Sequence, residues 1–530
     1  MTKGYWLPVL HSHLPFVKHP EYDYFLEEHW LFEAITETYI PLLMIMERMV
    51  QEGVNFRLTT SITPTLAEML ADTYLKEQYL KHLDTLIELS EKEIRRLSND
   101  KDFLPVALFY NRRFQEIKSF YMNDLDCNLL NGYRRFMQLG KLDIITCGAT
   151  HGFLPLLSVN PQAVEVQIGV AVETYKKHFG EAPSGIWLPE CAYYDGLDEV
   201  LKRHSIRYFF LDTHGLTDGS PSPRYTVYAP VYTPHGVAAF ARDPLTSRQV
   251  WSSKSGYPGD FEYRDFYKDI GYDLDFDYIK PYISPDGIRV FTGVKYYRIT
   301  GLTDEKTPYR PEFALLKAMG HARHFVSERF SQVKPLSSDM DRPPVMVSCY
   351  DAELFGHWWF EGPEFLYHVF CEIDKDKTVQ AITPKEYLMR HPQNQMVNPS
   401  PSTWGDRGYY DVWLNDKNDW LYKHLYYMAT TIEDMANKHF NETQPVTIRV
   451  LDQLLRELLL AQSSDWAFLI TMGTATHYAE KRTKEHVSNF NRLLDSFRAK
   501  RLDITFLEWL EYKNSIFDNI DFRVFASRCS

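Results

Sequence analysis

The chain has 530 residues and a formal net charge of −13, enough length to bury a sizeable core. With no clustered Lys/Arg stripe, the self-field excludes a phosphate-backbone partner such as nucleic acid and favours a neutral or cationic ligand. Six cysteines without CxxC spacing fit reduced thiols better than a disulfide frame or a zinc site. The start MTKGYWLPVLHSH lacks a signal-peptide core, and no run of about 18 apolar residues offers a membrane span, so a cytoplasmic protein is expected.

In chain order, short apolar runs end repeatedly in polar clusters. Tyr5 to Leu10 ends in His11, Ser12 and His13, and Phe56 to Thr60 ends in Ser61. Asp143 to Cys147 leads to Thr150 and His151, and Gly185 to Pro189 leads to Glu190. Ile206 to Leu211 gives Asp212 and His214, Val237 to Ala241 gives Arg242 and Asp243, and Val345 to Tyr350 gives Asp351. Continuous rather than alternating apolar runs suit strands covered on both faces, and helical patterns separate most of them, which predicts a parallel βα architecture. Functional groups in such barrels sit at the C-terminal ends of the strands, where each of these clusters falls.

Between the second and third runs, residues 70–140 read as a helical insertion, with Leu80, Leu83, Ile87, Ile94 and Leu97 at helical spacing. Residues 214–235 are rich in Pro, Gly and Tyr and read as a rim loop able to close over a ligand. Residues 252–298 form a second aromatic, irregular region. Residues 1–395 are thus expected to form the barrel with its insertion, and 396–530 a C-terminal helical domain.

Glu190 and Asp351 are the acids around which a site would assemble. A carboxylate pair on a barrel rim can perform acid/base hydrolysis, hold a metal or form salt bridges. The aromatics near the polar motifs, Trp187, Trp358, Trp359, Trp404, Trp413, Trp420 and Trp466, suit the alternately apolar and hydroxylated faces of a sugar chain. Asp465, in a Ser-Ser-Asp break of an apolar helix, needs partners or a ligand. Metal binding competes: His151 and Asp351 could complete a zinc site. His11 and His13, read as facing opposite sides of their segment, are not expected to ligate together.

HSHLPF at 11–16, GATHGFLP at 148–155, WLPECAY at 187–193, YDAELFGHWW at 350–359 and the Trp-rich segment 399–420 resemble, in order and spacing, the five motifs of glycoside hydrolase family 57. The resemblance covers nearly the whole chain and is closest to the α-1,4-glucan branching enzymes and the α-amylase-like members. It implies an α/β fold, an incomplete (β/α)7 barrel with an inserted helical domain and a C-terminal helical domain, and a site without metal or other cofactor. Carried over, it makes Glu190 the nucleophile and Asp351 the general acid/base, with the carboxyls about 5 to 5.5 Å apart for a retaining mechanism. His11, His13 and His151 would hold the cleaved glucose. Trp30, Trp187, His357, Trp358, Trp359, Trp404, Trp413, Trp420, Asp465 and Trp466 would bind the glucan.

Two departures are visible. The first motif ends in Phe16 where the family has Tyr. The loop of residues 214–235 is shorter than in branching members, leaving Tyr225 as the candidate for their shielding tyrosine. The expected function is a branching enzyme forming α-1,6 links in a glycogen-like polymer, with hydrolytic side activity. An α-amylase or 4-α-glucanotransferase of the same family is the alternative, and a zinc-dependent polysaccharide deacetylase or mannosidase the alternative from another class. Oligomeric state is left open.

Overall fold

The computed structural model describes residues 2–252, 256–303 and 305–527; Cys529 lies outside them. Among the described residues nine strands form: β1 Gly4–Ser12, β2 Leu58–Ile62, β3 Leu142–Ile145, β4 Gly185–Ile186, β5 Tyr208–Leu211, β6 Val231–Tyr232, β7 Ala238–Ala241, β8 Val345–Asp351 and β9 Val379–Ala381. All seven expected runs are strands, and β6 and β9 are additional short ones. One sheet runs β3-β2-β1-β8, with β9 also paired to β1, and the other runs β4-β5-β7-β6. All pairs are parallel except β6 with β7.

The two sheets join into one incomplete (β/α)7 barrel. A parallel bridge from Thr146 to Ile186 links β3 to β4. Across the other seam, the Asp243 N–H donates to the Val347 carbonyl at 2.8 Å, and the Gln332 amide braces Asp243 at 3.0 Å. β4 is much shorter than the apolar run around it. Gly185 lies so close to β5 that a Cβ there would meet the Tyr208 ring at 2.1 Å, and after Ile186 the chain leaves the sheet for a 3-10 turn, Pro189–Cys191.

Side chains alternate strictly between the two faces. Tyr5, Leu7 and Val9 of β1, Val345, Val347 and Cys349 of β8, Tyr208 and Phe210 of β5, and Ala238 and Phe240 of β7 fill the barrel interior. Trp6, Leu10 and Met346 face the surrounding helices. Continuing the inward phase by two residues past each core strand gives His11 and His13, Asp351, Asp212, and Arg242. The rim chemistry is therefore the last turn of the interior packing pattern.

Helices Pro64–Ala71, Thr73–Arg96, Leu104–Ser119 and Leu129–Gln138 stand between β2 and β3. Beyond β9, helices Trp420–Lys438, Pro445–Ala461, Ser464–Met472, Thr476–Arg498 and Ile504–Lys513 pack beside the barrel. The break between the second and third of these presses on the rim. Ser463 bridges Gly152, and the Ser464 N–H donates to the His151 carbonyl at 3.0 Å. No helix among the described residues is long and apolar enough to cross a membrane.

Candidate active site

Glu190 sits in the left-handed region, φ 62° and ψ 24°, and His151 does likewise at φ 56°. Non-glycine residues are uncommon there and concentrate at functional sites, because the surrounding structure must hold them against the strain. The surroundings do so. The Trp404 N–H donates to the Glu190 carbonyl at 3.1 Å, the Trp404 indole donates to Glu190 Oε2 at 2.9 Å, and the Ser464 hydroxyl donates to Oε1 at 2.8 Å. Burial raises the Glu190 carboxyl above its ordinary range, and these two donors oppose that rise.

The imidazoles continue from there. His151 Nδ1 is 2.8 Å from Ser464 Oγ, its Nε2 is 3.0 Å from His11 Nε2, and His11 Nδ1 is 3.0 Å from Ser61 Oγ. His13 Nδ1 lies 3.1 Å from Thr63 Oγ1 and its Nε2 lies 2.9 Å from Asp465 Oδ2. Burial opposes charge on His13, but the Asp465 carboxylate outweighs it and raises the imidazole. Asp465 is correspondingly held down at about 2, despite its burial, by His13. The two form a charged pair. The expectation that His11 and His13 face opposite sides is overturned: residues two apart on a strand share a face, and the rings are stacked 5.8 Å apart, 19° between planes.

Asp351 pairs in register with His11 across β1 and β8. Burial first, then the negative charges of Glu353 and Glu190, push its carboxyl well above the usual carboxylate range, against the pull of Arg242. Glu353 is fixed by the His13 N–H at 3.2 Å and by the Tyr39 hydroxyl. Tyr39 closes a π-helical turn, Ile35–Tyr39, an insertion frequent at functional sites. Gly356, at φ 117°, lets this turn approach, since a Cβ there would sit 1.8 Å from the Glu37 carbonyl oxygen. Of the two acids, Asp351 is the one its surroundings press harder toward the protonated form, and Glu190 is the one that accepts hydrogen bonds. Replacing Glu353 by Gln removes one repelling charge. The alkaline limb of activity, where Asp351 loses its proton, is expected to move to lower pH by about one pH unit, read from kcat/KM against pH.

Together at the rim, then, stand Glu190, Asp351, His11, His13, His151, Trp187, Trp404 and Asp465. Trp187 lies under the site, stacked 4.9 Å from His11 and edge-on to Trp404 at 4.9 Å. Other expected binders are placed elsewhere. Trp359, Trp413 and Trp466, each 1% exposed, are packed in the core against Phe365, Phe153 and Tyr478, and cannot stack on a sugar from there. Tyr225 is at the wrong end of the barrel. Its hydroxyl accepts from the Asp341 N–H at 3.5 Å, just ahead of β8, roughly 20 Å of strand from Asp351. The chain after β5 turns back down the barrel wall, so residues 214–235 do not form a rim loop as a whole.

His357 is tied to Glu37 at 2.7 Å, in an ion-pair network with Arg264, while Trp358 is 54% exposed and stacked on Phe266 at 4.6 Å. Trp30 and Trp420 are half-buried at the C-terminal helices, against Tyr478 and beneath Lys484. Sequence reasoning missed Thr63, Tyr39 and Glu353, and it placed Ser61, Asp212 and Arg242 at strand ends without their partners; Asp212 and Arg242 pair at 2.6 Å. The inward phase of each strand was the available signal for Ser61, Asp212 and Arg242. Tyr39 had none, since only folding brings it to Glu353.

Two sets among the described residues have ligand atoms close enough to share an ion: His11, Cys147 and His151, and His13, His151 and Asp465. In the first, the imidazole Nε2 atoms are spent on each other. In the second, the His13 and His151 rings lie face to face, centroids 3.9 Å apart and planes 14° from parallel, so their lone pairs run side by side rather than converging on an ion.

A barrel whose rim carries two buried carboxylates among imidazoles and indoles has the composition of a carbohydrate-active site. The family model described as Glycosyl hydrolase family 57 matches residues 9–400, and one described as 1,4-alpha-glucan branching enzyme, C-terminal, matches residues 424–525. The chain belongs to glycosyl hydrolase family 57. It is 34% identical to a 1,4-alpha-glucan branching enzyme of Thermococcus kodakarensis, over 97% of this chain and 77% of that protein. Among solved structures, the alpha-amylase AmyC of Thermotoga maritima is 46% identical with a TM-score of 0.93, covering 99% of each chain. The branching enzyme of Pyrococcus horikoshii is 33% identical with a TM-score of 0.89, covering 99% of this chain and 97% of that one.

Proposed function

We propose that the protein is a retaining 1,4-α-glucan branching enzyme, acting in the cytoplasm on amylose-like and glycogen-like chains. The observation that carries the chemistry is the pair of unlike acids. Glu190 is held ready by donors on both oxygens, and Asp351 is kept protonated by burial and by its acidic neighbours. Glu190 attacks the anomeric carbon of an α-1,4-linked glucose while Asp351 protonates the departing oxygen. An acceptor hydroxyl then gives its proton to Asp351 and displaces Glu190. His11, His13 and His151, whose ring nitrogens are bonded to Ser61, Thr63, Ser464, Asp465 and one another, form the wall behind Glu190, and Trp404 both orients Glu190 and borders the cleft.

Water, a glucan 4-hydroxyl and a glucan 6-hydroxyl can all accept from the same intermediate, so the two acids do not choose among the products. The choice of branching rests on the branching-enzyme C-terminal match and on the part those helices play in the site: Ser464 and Asp465 belong to them and touch Glu190 and His13 directly. The similarity to an alpha-amylase over the whole chain favours hydrolysis as a side reaction. Incubation with amylose is expected to give new α-1,6 links, counted as reducing ends released by a debranching enzyme, in excess of the reducing ends formed directly. Reducing ends that appear without debranchable links would make the protein an amylase.

A further inference from the structure

Between Glu190 and β2 run four hydrogen bonds whose direction follows from the protons available. An ionised Glu190 only accepts, so Ser464 spends its one hydroxyl proton on Oε1 at 2.8 Å. Ser464 Oγ can then only accept from His151 Nδ1, 2.8 Å away. A neutral His151 has its lone pair on Nε2, which requires a proton on His11 Nε2, 3.0 Å away. A neutral His11 in turn has its lone pair on Nδ1, and Ser61 Oγ, 3.0 Å away, must donate. Both rings are kept neutral, because burial and neighbouring imidazoles lower them well below the ordinary histidine range. Ser61, His11, His151 and Ser464 are all buried, which leaves water little chance to compete.

We propose that Ser61 is a positioning residue for Glu190, acting through His11, His151 and Ser464 by a chain of hydrogen bonds all donated toward the carboxylate. Such chains polarise one another in a low-dielectric interior. The reading of Glu190 as nucleophile gives the chain its consequence. In the second half of the reaction the bond from Glu190 to the anomeric carbon breaks, its electron pair returns to the carboxylate, and the acceptor oxygen bonds to that carbon after passing its proton to Asp351. Donors aimed at Glu190 favour the carboxylate over the ester, so they shorten the life of the glycosyl-enzyme.

The test uses α-maltosyl fluoride as donor and the intact mass of the full-length protein as readout. Ser61→Ala is expected to lengthen the life of the covalent adduct about tenfold, and Ser61→Thr, which keeps the hydroxyl, to restore it. A lifetime in Ser61→Ala within twofold of the wild type overturns the proposal. If neither the wild type nor Ser61→Ala accumulates an adduct, the chain is decided on the unsubstituted protein by 15N NMR of ring-labelled histidines, as it also is if Ser61→Ala does not fold. The expected pattern at neutral pH is His11 protonated at Nε2 and His151 at Nδ1. The opposite tautomers, or a doubly protonated ring at either position, overturn it.

Discussion

Glu190→Gln is expected to abolish turnover of α-glucan, by on the order of 10⁴-fold or more, while leaving the affinity for maltooligosaccharides within a few-fold of wild type. The amide is isosteric and keeps an oxygen to accept from Trp404 or Ser464, so the cleft is preserved. What is lost is the anionic nucleophile, and with it the first half of the reaction. Rate measurement on amylose with calorimetric binding of maltoheptaose separates the two quantities. A variant that binds and still turns over at near the wild-type rate would remove Glu190 from the mechanism. A wild type that binds glucan but never turns it over would make the protein a binding module.

Asp351→Ala is the second large effect, with a different signature. Loss of the proton donor is expected to slow cleavage of α-1,4-glucan by roughly 10²- to 10⁴-fold, but the attack on α-maltosyl fluoride far less, because fluoride leaves without being protonated. The pH profile adds a sign. Asp351 must be protonated for the first step, and its carboxyl is raised well above the usual range, so wild-type activity persists at pH values where an ordinary aspartate is ionised and falls as pH rises through that raised value. The alkaline limb is expected to vanish in Asp351→Ala. Were the limb unchanged, another group, Glu353 first among them, would be the acid.

These two expectations differ because the environments differ, and the environments are tertiary. Glu190 receives hydrogen bonds from Trp404 and Ser464, which are 214 and 274 residues away in sequence. Asp351 receives no such donor among the described residues and faces Glu353, whose own position depends on Tyr39 and on the backbone of His13. Two carboxylates of nearly equal intrinsic acidity are thereby given unlike environments, which is what the proposed division between nucleophile and proton donor requires.

The local order was legible beforehand. Apolar runs of strand length ending in His, Asp and Glu announced a parallel barrel and its reactive rim, because interior packing forces a period of two that continues into the rim residues. Motif order singled out Glu190 and Asp351, both of which stand at the rim. Aromatic content was a poor guide: Trp359, Trp413 and Trp466 have the same residue type as Trp404, and only packing decided that three fill the core while one meets Glu190. Tyr225 failed for a related reason, since the direction the chain takes after β5 is set by contacts with residues 341–342 and 393–395, far off in sequence. By itself, then, the sequence determined which strands form, which way their side chains alternate and where the acids fall along them. Tertiary structure alone decided which acid is pressed harder toward its protonated form and which indole meets Glu190, because both depend on burial and on partners supplied by distant segments.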